Sequence, residues 1–80
     1  MSKINELGLR IKQIREFLEL NQSDFSKSLN LSLFALKDIE RGKTRATQKT
    51  LRDISEQYSI NYYWLNTGEN IKDTVIPSVD

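Results

Sequence analysis

Asn21-Gln22-Ser23-Asp24-Phe25-Ser26-Lys27-Ser28-Leu29, followed by Asn30-Leu31-Ser32 and then by Leu33-Phe34-Ala35-Leu36-Lys37-Asp38-Ile39-Glu40-Arg41-Gly42, reads as two short helices joined by a tight turn. Asn21 is placed to cap the first of them, because its side chain can accept from the amide three residues on, where Asp24 also favours the positive helix end. Phe25 and Leu29, four apart, form that helix's buried stripe, which leaves Ser23, Ser26, Lys27 and Ser28 to face outward or toward a partner. Asn30 stands where the turn needs a left-handed residue, a conformation Asn tolerates best after Gly. Ser32 then caps a helix over Leu33–Arg41, with Leu36 and Ile39 pointing inward and Gly42 supplying the left-handed end.

Upstream, Ile4, Leu7, Ile11, Ile14 and Leu18 recur at spacings of three and four, one stripe of a helix. Arg10, Lys12, Gln13, Glu16 and Glu19 fall mostly on its outer face, Arg15 lies beside the stripe, and Gly8 weakens the first turns slightly relative to Ala. Downstream, Lys43, Thr44, Arg45 and Ala46 make a loop, and Thr47 caps a helix whose inward residues are Leu51, Ile54 and Tyr58. Asn61 caps a short last helix through Tyr62, Tyr63, Trp64 and Leu65 that ends at Gly68. The expected domain is therefore 1–68. In the tail, 69–80, no helical period accounts for Ile71, Val75, Ile76 and Val79 around Pro77, so that a linker, an arm and an oligomer contact all fit it. The same fading pattern also leaves open that this stretch is a linker leading to a further domain.

A chain of 80 residues supports one core, since a domain this small buries only about 60 to 65% of its unfolded surface. The hydrophobic share of 38% and charged share of 29% are ordinary for a globular domain. With no Cys and no His, disulfides, thiolate or imidazole metal sites and the usual nucleophile and base pairs are excluded. An enzyme, a metal, a cofactor and a small-molecule substrate are accordingly not expected; a hydrolase built on carboxylates would need paired acids that the sequence does not offer. No apolar run reaches the roughly 18 residues of a membrane helix and the start lacks a signal peptide's apolar region, so a cytoplasmic protein is expected. The net charge of +1 is too small to announce a partner, and position has to decide. Between Gln22 and Arg45 the five cations Lys27, Lys37, Arg41, Lys43 and Arg45 outnumber the three acids Asp24, Asp38 and Glu40, so this region is modestly basic.

Leu20 to Phe25, Asn30-Leu31-Ser32, Leu36 and Ile39-Glu40-Arg41-Gly42-Lys43 together resemble the Xre-type helix-turn-helix family of phage repressors and Cro proteins. Arg10 to Arg15 is similar to that family's first helix and Ile60 to Gly68 to its fifth, so the resemblance spans Leu7 to Gly68. It implies an all-α, five-helix, lambda-repressor-like domain acting as a sequence-specific transcriptional regulator of duplex DNA. In that docking mode the helix from Leu33 lies in the major groove and the helix from Gln22 crosses the backbone. Gln22 would then meet a phosphate at a helix start and help hold the reading helix, the alternative being a solvated first-turn Gln. Ser32, Arg41, Lys43, Thr44 and Arg45 would make further phosphate contacts and displace counterions. The resemblance also implies a partly buried ion pair of structural role between Arg15 and Glu40.

The reading head departs from the family. Its first two positions are ordinarily polar and here are Leu33 and Phe34. Base contacts would rest on Lys37 to guanine acceptors, Asp38 to a cytosine amino group, and Leu33 or Phe34 against thymine methyls. Two apolar residues at a tip equally suit a protein-binding surface. The second expectation is thus a helix-turn-helix scaffold that binds a dimer mate, an antirepressor or another regulatory protein, with little or no DNA binding. Related repressors are two-fold dimers on half-sites about 34 Å apart, and Tyr62, Tyr63 and the tail are candidates for an isologous homodimer contact, with Trp64 read as core. The operator, the sign of regulation and any inducer are not written in these residues.

Overall fold

Five helices follow one another in the computed structural model, which describes residues 3–69, with side chains from Glu6 onward. They are α1 (Lys3–Phe17), α2 (Gln22–Ser28), α3 (Leu33–Glu40), α4 (Gln48–Tyr58) and α5 (Tyr62–Thr67), and no strand occurs among the described residues. Each of α2 to α5 begins at a side-chain cap: Asn21, Ser32, Thr47 and Asn61 accept from the amides of Asp24, Ala35, Thr50 and Trp64. These bonds satisfy donors that a helix start otherwise leaves unpaired. The boundaries differ by one residue from the spacing-based ones, with Leu18 in the turn after α1, Leu29 capping α2 and Arg41 capping α3.

The helix ends share one device. Glu19, Asn30, Gly42 and Ser59 all have positive φ. The amide of the residue after each one reaches back five positions: Leu20 to the Arg15 carbonyl, Leu31 to Ser26, Lys43 to Asp38 and Ile60 to Ser55. This is the closure that turns a chain sharply while pairing the last carbonyls of a helix. At three of the four the next residue is apolar, and Leu20, Leu31 and Ile60 pack on the core. Glu19 and Ser59, which have no intrinsic liking for this conformation, are held by neighbours. Arg15 Nη1 donates to the Leu20 carbonyl at 3.0 Å and Ser55 Oγ to the Ile60 carbonyl at 2.7 Å.

The core gathers Leu7, Ile11 and Ile14 from α1, Phe25 and Leu29 from the α2 region, Leu36 and Ile39 from α3, Leu51 and Ile54 from α4, and Ile60, Trp64 and Leu65 around α5. α1 packs on α3 and α5, α2 on α3, and α4 on α5. Tyr58 is only half-buried, because its ring tilts against Phe25 at 5.7 Å while its hydroxyl bonds Ser28 Oγ at 2.7 Å. The inward reading of Ile4 concerns a side chain outside the described residues, as do Ile71, Val75, Ile76, Pro77 and Val79 of the tail.

Three residues depart from the sequence reading. Ser26, expected to face outward, is buried, with its hydroxyl donating to the Ser23 carbonyl at 2.9 Å, so its polarity is satisfied inside its own helix. Arg10, assigned to the outer face of α1, instead crosses to the end of α5. There its Nε donates to the Leu65 carbonyl at 3.0 Å and its Nη2 to the Asn66 carbonyl at 3.3 Å, while its guanidinium lies 5.9 Å from the centroid of Trp64. Those carbonyls have no partner further along α5, so a cation from α1 caps them. Burial, the leading cause, lowers the Arg10 pKa, with Glu6 opposing it and Arg45 adding to it. Gly8, read only as a weak helix residue, is a contact point: a Cβ there would collide with the Ile39 carbonyl oxygen and come within 3.2 Å of the Glu40 carbonyl oxygen.

Two substitutions separate these effects. Gly8→Ala should destabilise the fold by about 1 to 3 kcal/mol in a urea melt, because overpacking against backbone outweighs the gain in helix propensity. Glu19→Gly should stabilise it by about 0.5 to 1 kcal/mol, since Gly adopts positive φ without the steric cost that Glu carries. A neutral or stabilising Gly8→Ala would mean that α1 and α3 do not approach this closely.

Candidate nucleic-acid interface

α3 divides cleanly into two faces. Leu36 and Ile39 are buried, whereas Phe34 is 78% and Leu33 38% exposed and Lys37 lies in solvent. Ser32 holds the exposed end, its Oγ accepting from the Ala35 amide at 3.0 Å. One turn on, Asp38 Oδ1 accepts from Arg41 Nη2 at 2.8 Å in an ion pair at the surface. The backbone of Asp38 also anchors the next loop, its carbonyl accepting from the Lys43 amide at 2.8 Å and the Thr44 amide at 3.4 Å.

What fixes α3 in orientation is a cluster around Glu40. The Glu40 residue is only 7% exposed. Its Oε2 accepts from Arg15 Nε at 2.7 Å, and its Oε1 from Arg15 Nη2 at 3.1 Å and Gln22 Nε2 at 3.0 Å. The remaining Arg15 nitrogen, Nη1, donates to the Leu20 carbonyl. One carboxylate thus ties α1, the turn before α2, the start of α2 and the end of α3. The hydrogen bonds to Glu40 raise the Arg15 pKa, with burial as the opposing effect. No buried side-chain nitrogen or oxygen lacks a partner among the described residues.

The candidate residues form two groups rather than one. Ser32, Leu33 and Phe34 stand at the start of α3, with Lys37 and Asp38 a turn later. Gln22, Arg41, Lys43 and Thr44 gather at its other end, an eight-residue helix being roughly 12 Å long. Gln22 gives one amide hydrogen to Glu40, leaving its second hydrogen and its oxygen available. Arg45 leans away from this group, with Nη2 3.3 Å from Asn66 Oδ1, and joins Glu6, Arg10, Asn66, Thr67 and Glu69 around a cleft of about 350 Å³. Lys27, Lys37 and Lys43 have no carboxylate within ion-pair distance among the described residues. Of the two tyrosines offered for a dimer contact, the Tyr62 hydroxyl is engaged by Gln48 of α4, while Tyr63 stays exposed and donates to Glu69 Oε1 at 2.8 Å. That hydrogen bond is the main cause of the raised Tyr63 pKa.

Sequence reasoning misses the double duty of Asp38 and the tie between Gln22 and Glu40. Both depend on the i, i+3 register of α3 or on the crossing of helices, although Asp38 and Arg41 at that spacing are a legible signal.

Glu40→Ala should lower stability by about 3 kcal/mol, the lower end of the range for breaking a buried pair, because Arg15 keeps 13% side-chain exposure and can recruit water. The check is a thermal or urea melt, and an unchanged midpoint would refute the role assigned to the cluster.

No helix among the described residues is long and apolar enough to cross a membrane. No curated protein matches the chain at a significant level. A family model described as Helix-turn-helix domain matches residues 8–71, well over half of the sequence. The match takes in the capped α2–turn–α3 unit, the Glu40 cluster beneath it and the exposed face above it, and the chain belongs to the helix-turn-helix domain family, whose general role is DNA-binding regulation.

Proposed function

We propose that this protein is a repressor-like, sequence-specific regulator of transcription of the phage repressor and Cro type, which inserts the exposed face of α3 into the major groove of duplex DNA. The observation that carries the reading is the exposure of Leu33, Phe34 and Lys37 on a helix whose opposite face is buried and whose end is clamped through Glu40. A rigid helix presenting free side chains at its start is what base readout requires. Leu33 or Phe34 meets thymine methyls, Lys37 guanine acceptors and Asp38 a cytosine amino group. Gln22, Ser32, Arg41, Lys43 and Thr44 contact phosphates and fix the register, and Arg45 joins them by leaving Asn66. The domain is residues 1–68, the tail 69–80 is a linker, arm or dimer contact, and the working unit is a cytoplasmic homodimer on paired half-sites.

A second reading rests on one observation. Phe34 is the most exposed of the large apolar side chains, and with Leu33 beside it the tip also suits a protein partner.

A salt series on duplex DNA decides between them. DNA binding predicts that log affinity falls linearly with log salt, and that Lys43→Ala or Arg45→Ala each flattens the slope by about one unit. Phe34→Ala should shift the preferred sequence in a selection from random duplexes. No binding to any duplex at low salt would leave the protein-partner reading standing.

A further inference from the structure

On the DNA-binding reading, we propose that Asp38 gates specificity: its carboxylate holds Arg41 off the DNA backbone until a base-edge amino group takes the place of Arg41. The two side chains meet at 2.8 Å on the exposed side of α3, between the reading head and the loop of Lys43 and Thr44. Among the surface cations of this region, Arg41 is the one with a carboxylate partner among the described residues, while Lys37 and Lys43 have none. Its five donors and planar fork also make it the strongest phosphate ligand of the three.

Two states follow from this geometry. Against a duplex that places no amino group within reach of Asp38, its carboxylate has no donor to accept from, and releasing Arg41 would leave a bare carboxylate facing phosphates. The pair therefore stays closed, and Arg41 contributes no net charge to the contact. Where the groove offers a cytosine N4 amino group, Asp38 accepts from it and Arg41 swings to a phosphate. A correct base thereby adds a base contact and a phosphate contact together, whereas a wrong base forfeits both. The exchange is easy because the pair is at the surface, where the attraction is weak and water is at hand. The carbonyl of Asp38, which holds the loop, takes no part, so changing its carboxylate leaves that anchor intact.

The test uses the chain with a random-sequence duplex and with the duplex it selects from a random library. Asp38→Asn should bind the random duplex about tenfold more tightly, with a salt slope steeper by about one unit, because Arg41 is then free to grip a phosphate. Adding Arg41→Ala to Asp38→Asn should abolish that gain. The sequence selected by the unaltered protein should carry a cytosine that the Asp38→Asn protein no longer favours, with adenine taking its place. The gate is overturned if Asp38→Asn leaves random-duplex affinity unchanged, or if the gain persists without Arg41, which would mark a simple loss of negative charge. It is also overturned if the unaltered protein selects no cytosine. Failure of every form to bind DNA would instead sink the proposed function itself, and circular dichroism melts of each variant distinguish either result from unfolding.

Discussion

A carboxylate that is almost wholly removed from water has to be matched, and around Glu40 the match reaches across the molecule. Desolvating an ion costs several kcal/mol even after the protein relaxes, and the cost is recovered only where geometry and hydrogen bonding are good. Three donors on two oxygens meet that condition. Because they come from α1 and from the first residue of α2, Glu40 can be satisfied only when α3 sits at one angle to both. A wholly apolar contact would tolerate sliding and repacking at small cost, but a buried charge with a bidentate partner does not. The orientation of α3, and with it the exposed face that carries Leu33, Phe34 and Lys37, therefore depends on this cluster.

The cluster works because the chain around it is pinned at short range. Without disulfides or metal, a core this small leaves little stability in reserve. The helices are short, too short to persist alone in water, so their ends matter as much as their middles. Side-chain caps close the starts of α2 to α5, and left-handed residues with back-reaching amides close the ends of α1 to α4. Arg10 does the same for α5 from outside. Gly8 then lets α1 approach the carbonyls of Ile39 and Glu40, bringing Arg15 within reach of Glu40 about two turns later along α1.

Charge on the outward side is used sparingly. Pairing Arg41 with Asp38 and tying Arg45 to Asn66 leaves lysines as the unpaired cations of the α2–α3 region among the described residues. On the proposed DNA-binding role, a surface of this kind would attract a duplex weakly and without regard to sequence. The exposed start of α3 is apolar, Leu33 and Phe34 standing where resembling repressors ordinarily carry polar residues.

Much of this is legible in the order of the residues. Spacing places every helix, because capping residues and apolar periodicity act locally and Asn21, Asn30, Ser32, Gly42, Thr47, Asn61 and Gly68 each announce a conformation by their own chemistry. The exposure of Leu33 and Phe34 follows from the same periodicity. The turns at Glu19 and Ser59 are not legible, since neither residue prefers positive φ and each is held there by contacts of its surroundings. Ser26 and Gly8 likewise look ordinary, because how closely two helices approach is a property of their packing and not of either sequence segment. Arg10 capping α5 joins residues 55 positions apart, and no local rule reaches that far. The sequence by itself thus determined where helices start, stop and turn their apolar sides. Only the tertiary structure decided that Arg10 closes α5 and that Gln22 joins Arg15 on Glu40, because long flexible side chains can reach several partners and the folded geometry selects among them.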